Sequence, residues 1–360
     1  MSSDAQTSAA APEASPPGQQ QEGPSSPKSG ALALGRRVLR VFLVQRELTP
    51  IVITVALFVY FTIRAGSTFT GSLSLSSAAG YAGPIGAIAV GSVLLLVLAE
   101  IDLSVGQVFL FCPWVMYWAH NDGLPIVVAI LVALLAASAV GAFNGLITVR
   151  LNVPSFVTTL ATNFILYGVV LVYSNDEEAS PIPLSGGTSF ASKLMGAWKW
   201  SEILWVFAIT IILSTLLTRT RFGVRIVATG GNLTGAAEAG VPIRRVKVWC
   251  FVLCSFFAGL VGIVDAVKYG TLDPGNFGVD YILYAVGACV IGGTALTGGR
   301  GTVIGAFIGA ILIGILEDGL TLIGVSTNEF FIWVGIVIIV AMALNVQFDR
   351  LLARTRSAER

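Results

Sequence analysis

Charge is what this sequence has least of. Only 11% of its 360 residues are Asp, Glu, Lys or Arg, where a soluble domain carries roughly a quarter. A net charge of +1 supplies no field for nucleic acid, and no such partner is expected. Histidine is nearly absent, with His120 alone, and the four cysteines (Cys112, Cys250, Cys254, Cys289) all sit in apolar runs. Cys250 and Cys254 share a helical face one turn apart. Without CxxC spacing or histidine partners they read as small buried filler, so no metal and no cofactor is expected. HExxH is missing, as is a GxSxG with usable partners. The nearest string to a phosphate-binding loop, "GGTALTGGRG" (292–301), has Gly299 where the lysine should stand. This chain is not expected to be an enzyme.

What fills it is hydrocarbon: 55% of residues are hydrophobic and 40 are glycine, with a mean hydropathy of +0.84. That is the composition of an integral membrane protein. Apolar runs at 49–63, 84–99, 105–119, 125–149, 156–173, 203–218, 246–267, 279–292, 302–316 and 330–346 predict an all-α, polytopic membrane domain over 46–348 with about ten transmembrane helices. Several runs are shorter than the roughly 20 residues a crossing needs, which predicts broken spans shielded by their neighbours. Residues 1–30, rich in Ser, Ala, Pro, Gly and Gln, have no basic n-region or apolar core and are no signal peptide. Residues 1–45 read as a disordered tail, and 349–360 as a second tail.

Lysine and arginine orient the chain. With the N-terminus inside, 17 of the 21 basic residues fall on the cytoplasmic side, leaving Arg64, Lys193, Lys199 and Lys268 outside. Both termini are expected in the cytoplasm. The outer segments are acidic, and the largest, 174–199, reads equally well as a small external lip or a solvated loop. Inside, the longest loop is 219–247. It spells a short helix: Asn232 is a good N-cap, Gly240 a good C′ residue, and Pro242 forbids continuation. Two turns of helix are unstable alone, so this one is expected to dock on a partner.

Three acids bear on energy coupling. Glu100 and Asp102 fall where one apolar run ends and the next begins. Asp102 or Ser104 is placed to cap the helix starting near Val105, with Gly106 in its first turn, so capping of a broken helix is expected over proton relay. Asp265 stands three residues before Lys268 and reads as a surface pair. A weak internal echo relates "AVGSVLLLVLAEIDLSVGQVF" from Ala89 to "AVGACVIGGTALTGGRGTVIG" from Ala285. Duplicated transporters place the pathway between their halves.

"IDLSVG" (101–106), "NGLITVRLNVPSFVTTLAT" (144–162), "RFGVRIVATGGN" (221–232), "AGVPIRRVKVW" (239–249) and "VIGGTALTGGRGTVIGAFIGAILIGILEDGL" (290–320) occur in this order. Together they resemble the permease subunit of ribose/xylose-type bacterial ABC sugar importers, from about Arg46 onward. The resemblance implies a multi-pass protein of the bacterial plasma (inner) membrane, in contact with membrane lipid, forming the path for a pentose or hexose. It implies cytoplasmic ATP-binding cassette subunits, an extracytoplasmic sugar-binding protein and a second permease copy, in a homodimer or heterodimer. It also makes 219–247 the ATPase-coupling loop, carried by Gly230, Gly231, Asn232, Ala236, Ala237, Ala239, Gly240, Arg244, Arg245 and Lys247. Gly235, Glu238 and Ala99 depart from the family pattern. For a sugar path, the helix beginning at Phe156 offers Thr158, Thr159, Thr162 and Asn163 on adjoining stripes, weak neutral groups suited to releasing cargo. The alternative is that they bond neighbouring helices or their own i−4 carbonyls. A secondary carrier working without an ATPase is the competing function.

Overall fold

The structure, a computed structural model, describes residues 48–180 and 182–358; the expected tail at 1–45 lies outside them. Twelve principal helices follow in order: α1 (Leu48–Ala65), α2 (Ser72–Val97), α3 (Val105–Asn121), α4 (Ile126–Leu151), α5 (Ser155–Ser174), α6 (Ser201–Arg219), α7 (Arg221–Gly231), α8 (Leu233–Glu238), α9 (Ile243–Tyr269), α10 (Val279–Ile291), α11 (Val303–Leu322) and α12 (Thr327–Ala358). Among the described residues the only β contact is one antiparallel bridge, Ala179 with Leu272.

Seven helices, α1, α2, α4, α5, α6, α9 and α11, are long and apolar enough to cross a membrane. The expected ten therefore resolve to seven by length and composition. The run at 105–119 forms a 17-residue helix, α10 has 13 residues, and the apolar part of α12, Glu329–Leu344, is also short. The physical reason is local: α3 and α10 each border a chain break. One expected boundary moves the other way. Pro84 looks like a helix start, yet α2 begins at Ser72 and carries Pro84 in its interior. At the other end of the chain, α12 runs through the boundary expected at 348.

α2 is the axis. Every residue from Ala82 to Leu98 is buried, as a helix apolar on all sides must be. It packs chiefly on α11, while α9 packs on α4 and α3. Close approach is what the glycines supply. A Cβ at Gly309 would meet the Ala288 carbonyl, and one at Gly262 the Phe109 carbonyl, so α11 lies on α10 and α9 on α3 with backbone touching backbone. On α4 the small residues Ala129, Ala133, Ala137, Gly141 and Gly145 recur every four positions, and a Cβ at Gly141 would meet the Phe251 carbonyl of α9. Such seams suit helices that gain little from hydrophobicity against lipid. The opposite faces expose hydrocarbon, with Val55 at 55% and Ile63 at 77% on α1 and Leu135 at 69% on α4.

The 174–199 segment is folded against the body. Ala179 and Leu272 exchange both backbone bonds at 3.0 Å, and Ile182 N–H donates to the Gly270 carbonyl at 3.2 Å. Ala179 and Ile182 are buried, so this part of it is packed rather than a solvated loop.

Candidate functional site

Two chain breaks organise the molecule, and they close alike. After α2, the Glu100 N–H reaches back to the Leu95 carbonyl at 2.9 Å around Ala99, whose φ is +57°. After α10, the Thr294 N–H reaches the Cys289 carbonyl at 2.9 Å around Gly293, φ +85°. Both are 6→1 closures around a left-handed residue. The two helix ends thus close alike, but out of register with the echo in the sequence, which sets Gly91 opposite Gly287 and so Ala99 opposite Ala295 rather than Gly293.

The first break is held by a buried polar chain. Thr162 Oγ1 donates to Asn144 Oδ1 at 2.6 Å, Asn144 Nδ2 to Ser104 Oγ at 2.8 Å, and Ser104 Oγ to Asp102 Oδ1 at 2.6 Å. Asp102 Oδ1 also accepts the Ser104 N–H at 2.8 Å. Asp102 therefore closes the turn before α3, whereas the Ser104 hydroxyl caps nothing on α3 and links Asp102 to Asn144 instead. Gly106 lies against the Gly278 carbonyl, where a Cβ would collide, and Gln107 Oε1 accepts the Gly278 N–H at 2.9 Å. From α5, Thr159 Oγ1 accepts the Leu103 N–H at 3.0 Å and donates to the Ser155 carbonyl at 2.8 Å.

The four α5 residues thus divide. All are buried. Thr159 and Thr162 serve the break and their own helix, while Thr158 Oγ1 and both amide atoms of Asn163 have no hydrogen-bond partner.

The 219–247 segment meets both breaks. α7 buries Gly223, Ile226 and Thr229, one face at a spacing of three, and its N-terminus is capped by Thr220 Oγ1 on Gly223 N at 3.1 Å. α8 is capped by Asn232 Oδ1 on Gly235 N at 3.0 Å. It ends with Val241 N on the Ala236 carbonyl at 3.0 Å and Gly240 N on the Ala237 carbonyl at 2.9 Å, around Gly240 at φ +76°. Ala236 is buried, while Gly231, Asn232, Ala237, Glu238, Ala239 and Gly240 are exposed, and Arg244 and Arg245 stand on the first turn of α9. Gly230 touches Val97: a Cβ there would collide with the Val97 carbonyl, and that same carbonyl accepts the Gly299 N–H at 2.8 Å. Lys247 adds an ion pair to Glu100 in the first break. A cleft of about 460 Å³ between Thr148, Asn152, Leu233, Ala237 and Arg244 runs beneath α8.

The other end of α9 carries different chemistry. At 1.5 Å per residue its 27 residues span about 40 Å. There a cavity of about 730 Å³ lies between the middle of α2, the end of α9 and the loop after it, the start of α10 and α11, lined by Asp265, Asp273, Asp280 and Glu317 with Tyr81, Tyr269, Tyr281, Tyr284 and Phe277. Beside it, Lys268 Nζ sits 2.7 Å from Glu202 Oε2 of α6, a carboxylate 1% exposed. The surface pair expected between Asp265 and Lys268 is not what forms. Lys268 turns to Glu202, and Asp265 lines the cavity with its Oδ1 buried and without a hydrogen-bond partner. Glu202 and the tyrosines escaped the sequence reading, since Glu202 meets Lys268 across 66 positions. Gly80 and Gly83 on α2 give the only local hint, making room for Lys268 and for the Glu202 carboxylate. Among the described residues no group of three His, Cys, Asp or Glu could hold a metal ion.

Residues 74–343 match the family model described as "Branched-chain amino acid transport system / permease component". The chain is 37% identical over 322 residues to the xylose/arabinose import permease protein of Sulfolobus acidocaldarius, covering 87% of each chain. It is 32% identical over 264 residues to the ribose import permease protein of Escherichia coli K12, covering 71% of this chain and 80% of that one. It is 37% identical over 227 residues to the galactose/methyl galactoside import permease protein of the same strain, covering 62% and 67%. No solved structure matches the chain.

Proposed function

The chain belongs to the branched-chain amino acid transport system / permease component family, and on that premise we propose that it is the membrane permease subunit of an ATP-binding cassette importer for a monosaccharide, pentose or hexose. The observation that carries this reading is the likeness, over most of the chain, to import permeases for xylose or arabinose, ribose and galactose. Its place is the cell membrane, as a multi-pass protein, which suits its seven long apolar helices.

The finer assignments belong to the same proposal. α3, α10 and the apolar part of α12 complete the bundle to ten crossings, with both termini in the cytoplasm. Segment 219–247 is the coupling loop, and α8, with Ala237 and Glu238 exposed beside Arg244 and Arg245, seats in a cytoplasmic ATPase subunit. A second permease copy and an extracytoplasmic sugar-binding protein complete the importer. What supports the coupling role is the contact of Gly230 with Val97 and of Lys247 with Glu100, which ties the loop to the first break. Along the path, Thr158 and Asn163 offer polar atoms with no partner inside the protomer, while Thr159 and Thr162 hold the break.

The test is uptake into vesicles carrying the complete complex, with and without ATP, for the parent chain and for Asn232→Glu/Ala237→Glu. Sugar uptake should require ATP, and the variant should lose it while remaining folded in the membrane. Equal uptake without ATP would leave a lone carrier instead. Full uptake by the variant would remove α8 from coupling.

A further inference from the structure

The cavity at the far end of α9 has a chemistry of its own. Four carboxylates converge on it from separate places in the chain, Asp265 and Asp273 around the α9 terminus, Asp280 at the start of α10 and Glu317 on α11, and no lysine or arginine is among its lining residues. Lys268, whose Nζ lies 5.0 Å over the ring of Tyr269 in that lining, is engaged by Glu202 at 2.7 Å. Carboxylates are acceptors only, so the four of them ask for donors, while the tyrosine hydroxyls, Thr271 and Asn276 of the same lining can donate or accept. Asp265 Oδ1, buried and without a hydrogen-bond partner, states that demand most directly.

The aromatic lining is held in place without a ligand. Tyr281 packs on Phe109 at 5.5 Å, Tyr284 on Phe330 at 5.8 Å, and Phe277 on Tyr167 at 4.9 Å. Aromatic rings in a pocket wall suit the C–H face of a sugar ring while carboxylates take its hydroxyls. The volume of about 730 Å³ lies in the range of small-molecule sites, roughly 300–1,000 Å³. Among the described residues no three of these carboxylates group as metal ligands would.

We propose that this cavity is a charge filter on the solute: it admits neutral and amine-bearing polyhydroxylated molecules and rejects anionic ones such as uronates and sugar phosphates. The inference rests on the sugar-permease reading and adds to it a site and a sign. A cleft lined by charge of one sign concentrates counter-charge and depletes like charge, and a carboxylate or phosphate on the solute meets neutral donors but no cation among the described lining residues.

The full-length chain in lipid nanodiscs, dialysed to equilibrium against labelled glucose, glucosamine and glucuronate at low and high salt, tests this. Glucuronate should bind at least about tenfold more weakly than glucose at low salt, and glucosamine at least as well as glucose. High salt should shrink the gap, because exposed charges are screened. Asp280→Asn and Glu317→Gln, made separately so that one misfolded variant does not decide the matter, should each narrow it. Glucuronate binding as well as glucose, a gap that survives both substitutions, or no binding of any of the three would overturn the filter. ATP-driven uptake of neutral sugar by the complete complex is the separate arm. If uptake is present while the filter fails, the permease reading stands and only this inference falls; if uptake is absent, the permease reading itself falls.

Discussion

Ala99 holds a left-handed backbone, φ +57°, at the closure of α2, where its counterpart after α10 is Gly293. The conformation costs an L-residue roughly 1–2 kcal/mol, while a glycine there would give back about 0.4–1 kcal/mol through the freer unfolded chain. Ala99→Gly should therefore stabilise by up to ~1 kcal/mol, read as a raised Tm of the detergent-solubilised chain. A lowered Tm would show that the alanine methyl contributes packing worth more than the strain. What was legible at this scale was whatever chemistry stays local. Asn232, Gly240 and Pro242 mark the ends of α8 because capping and chain reversal act within four residues. Glu202 with Lys268, and the cavity tyrosines, were not legible, because they meet only after helices far apart in sequence are packed.

At the scale of elements, α7 and the two breaks form one joint. Gly230 on α7 lies on the Val97 carbonyl, and Gly299 from the second break donates to that carbonyl at 2.8 Å. Gly230→Val places a side chain where no room exists, an overpacking that costs about 1–3 kcal/mol. In ATP-driven uptake it should appear as a loss of about tenfold, the equivalent of ~1.4 kcal/mol, with partner co-purification retained. Wild-type uptake in this variant would mean that force does not pass through the joint. The seven long spans were legible from apolar runs. Their ends were less so: the apolar run expected over 84–99 begins well inside α2, whose first turns from Ser72 are rich in serine, alanine and glycine.

At the scale of the molecule, the fold is a set of helices brought to contact distance by glycine. Gly309 in α11 faces the Ala288 carbonyl with no space for a Cβ. Gly309→Leu should drive α11 from α10 and destabilise by about 3 kcal/mol or more, at the upper end of overpacking costs, measured as loss of folded protein on mild heating. Gly335, with nothing near it, should accept leucine within about 0.5 kcal/mol, as substitutions away from packed features do. Forty glycines in the sequence announce close packing somewhere, but which ones touch backbone depends on which helices are neighbours. The same economy bears on the joint of Gly230, Val97 and Gly299. Where side chains separate two helices, a small displacement is absorbed by bond rotations before anything further away stirs. Here main chain rests on main chain, with no rotamers between to give way. The joint is stiff, so an ångström of travel at one side arrives as an ångström at the other.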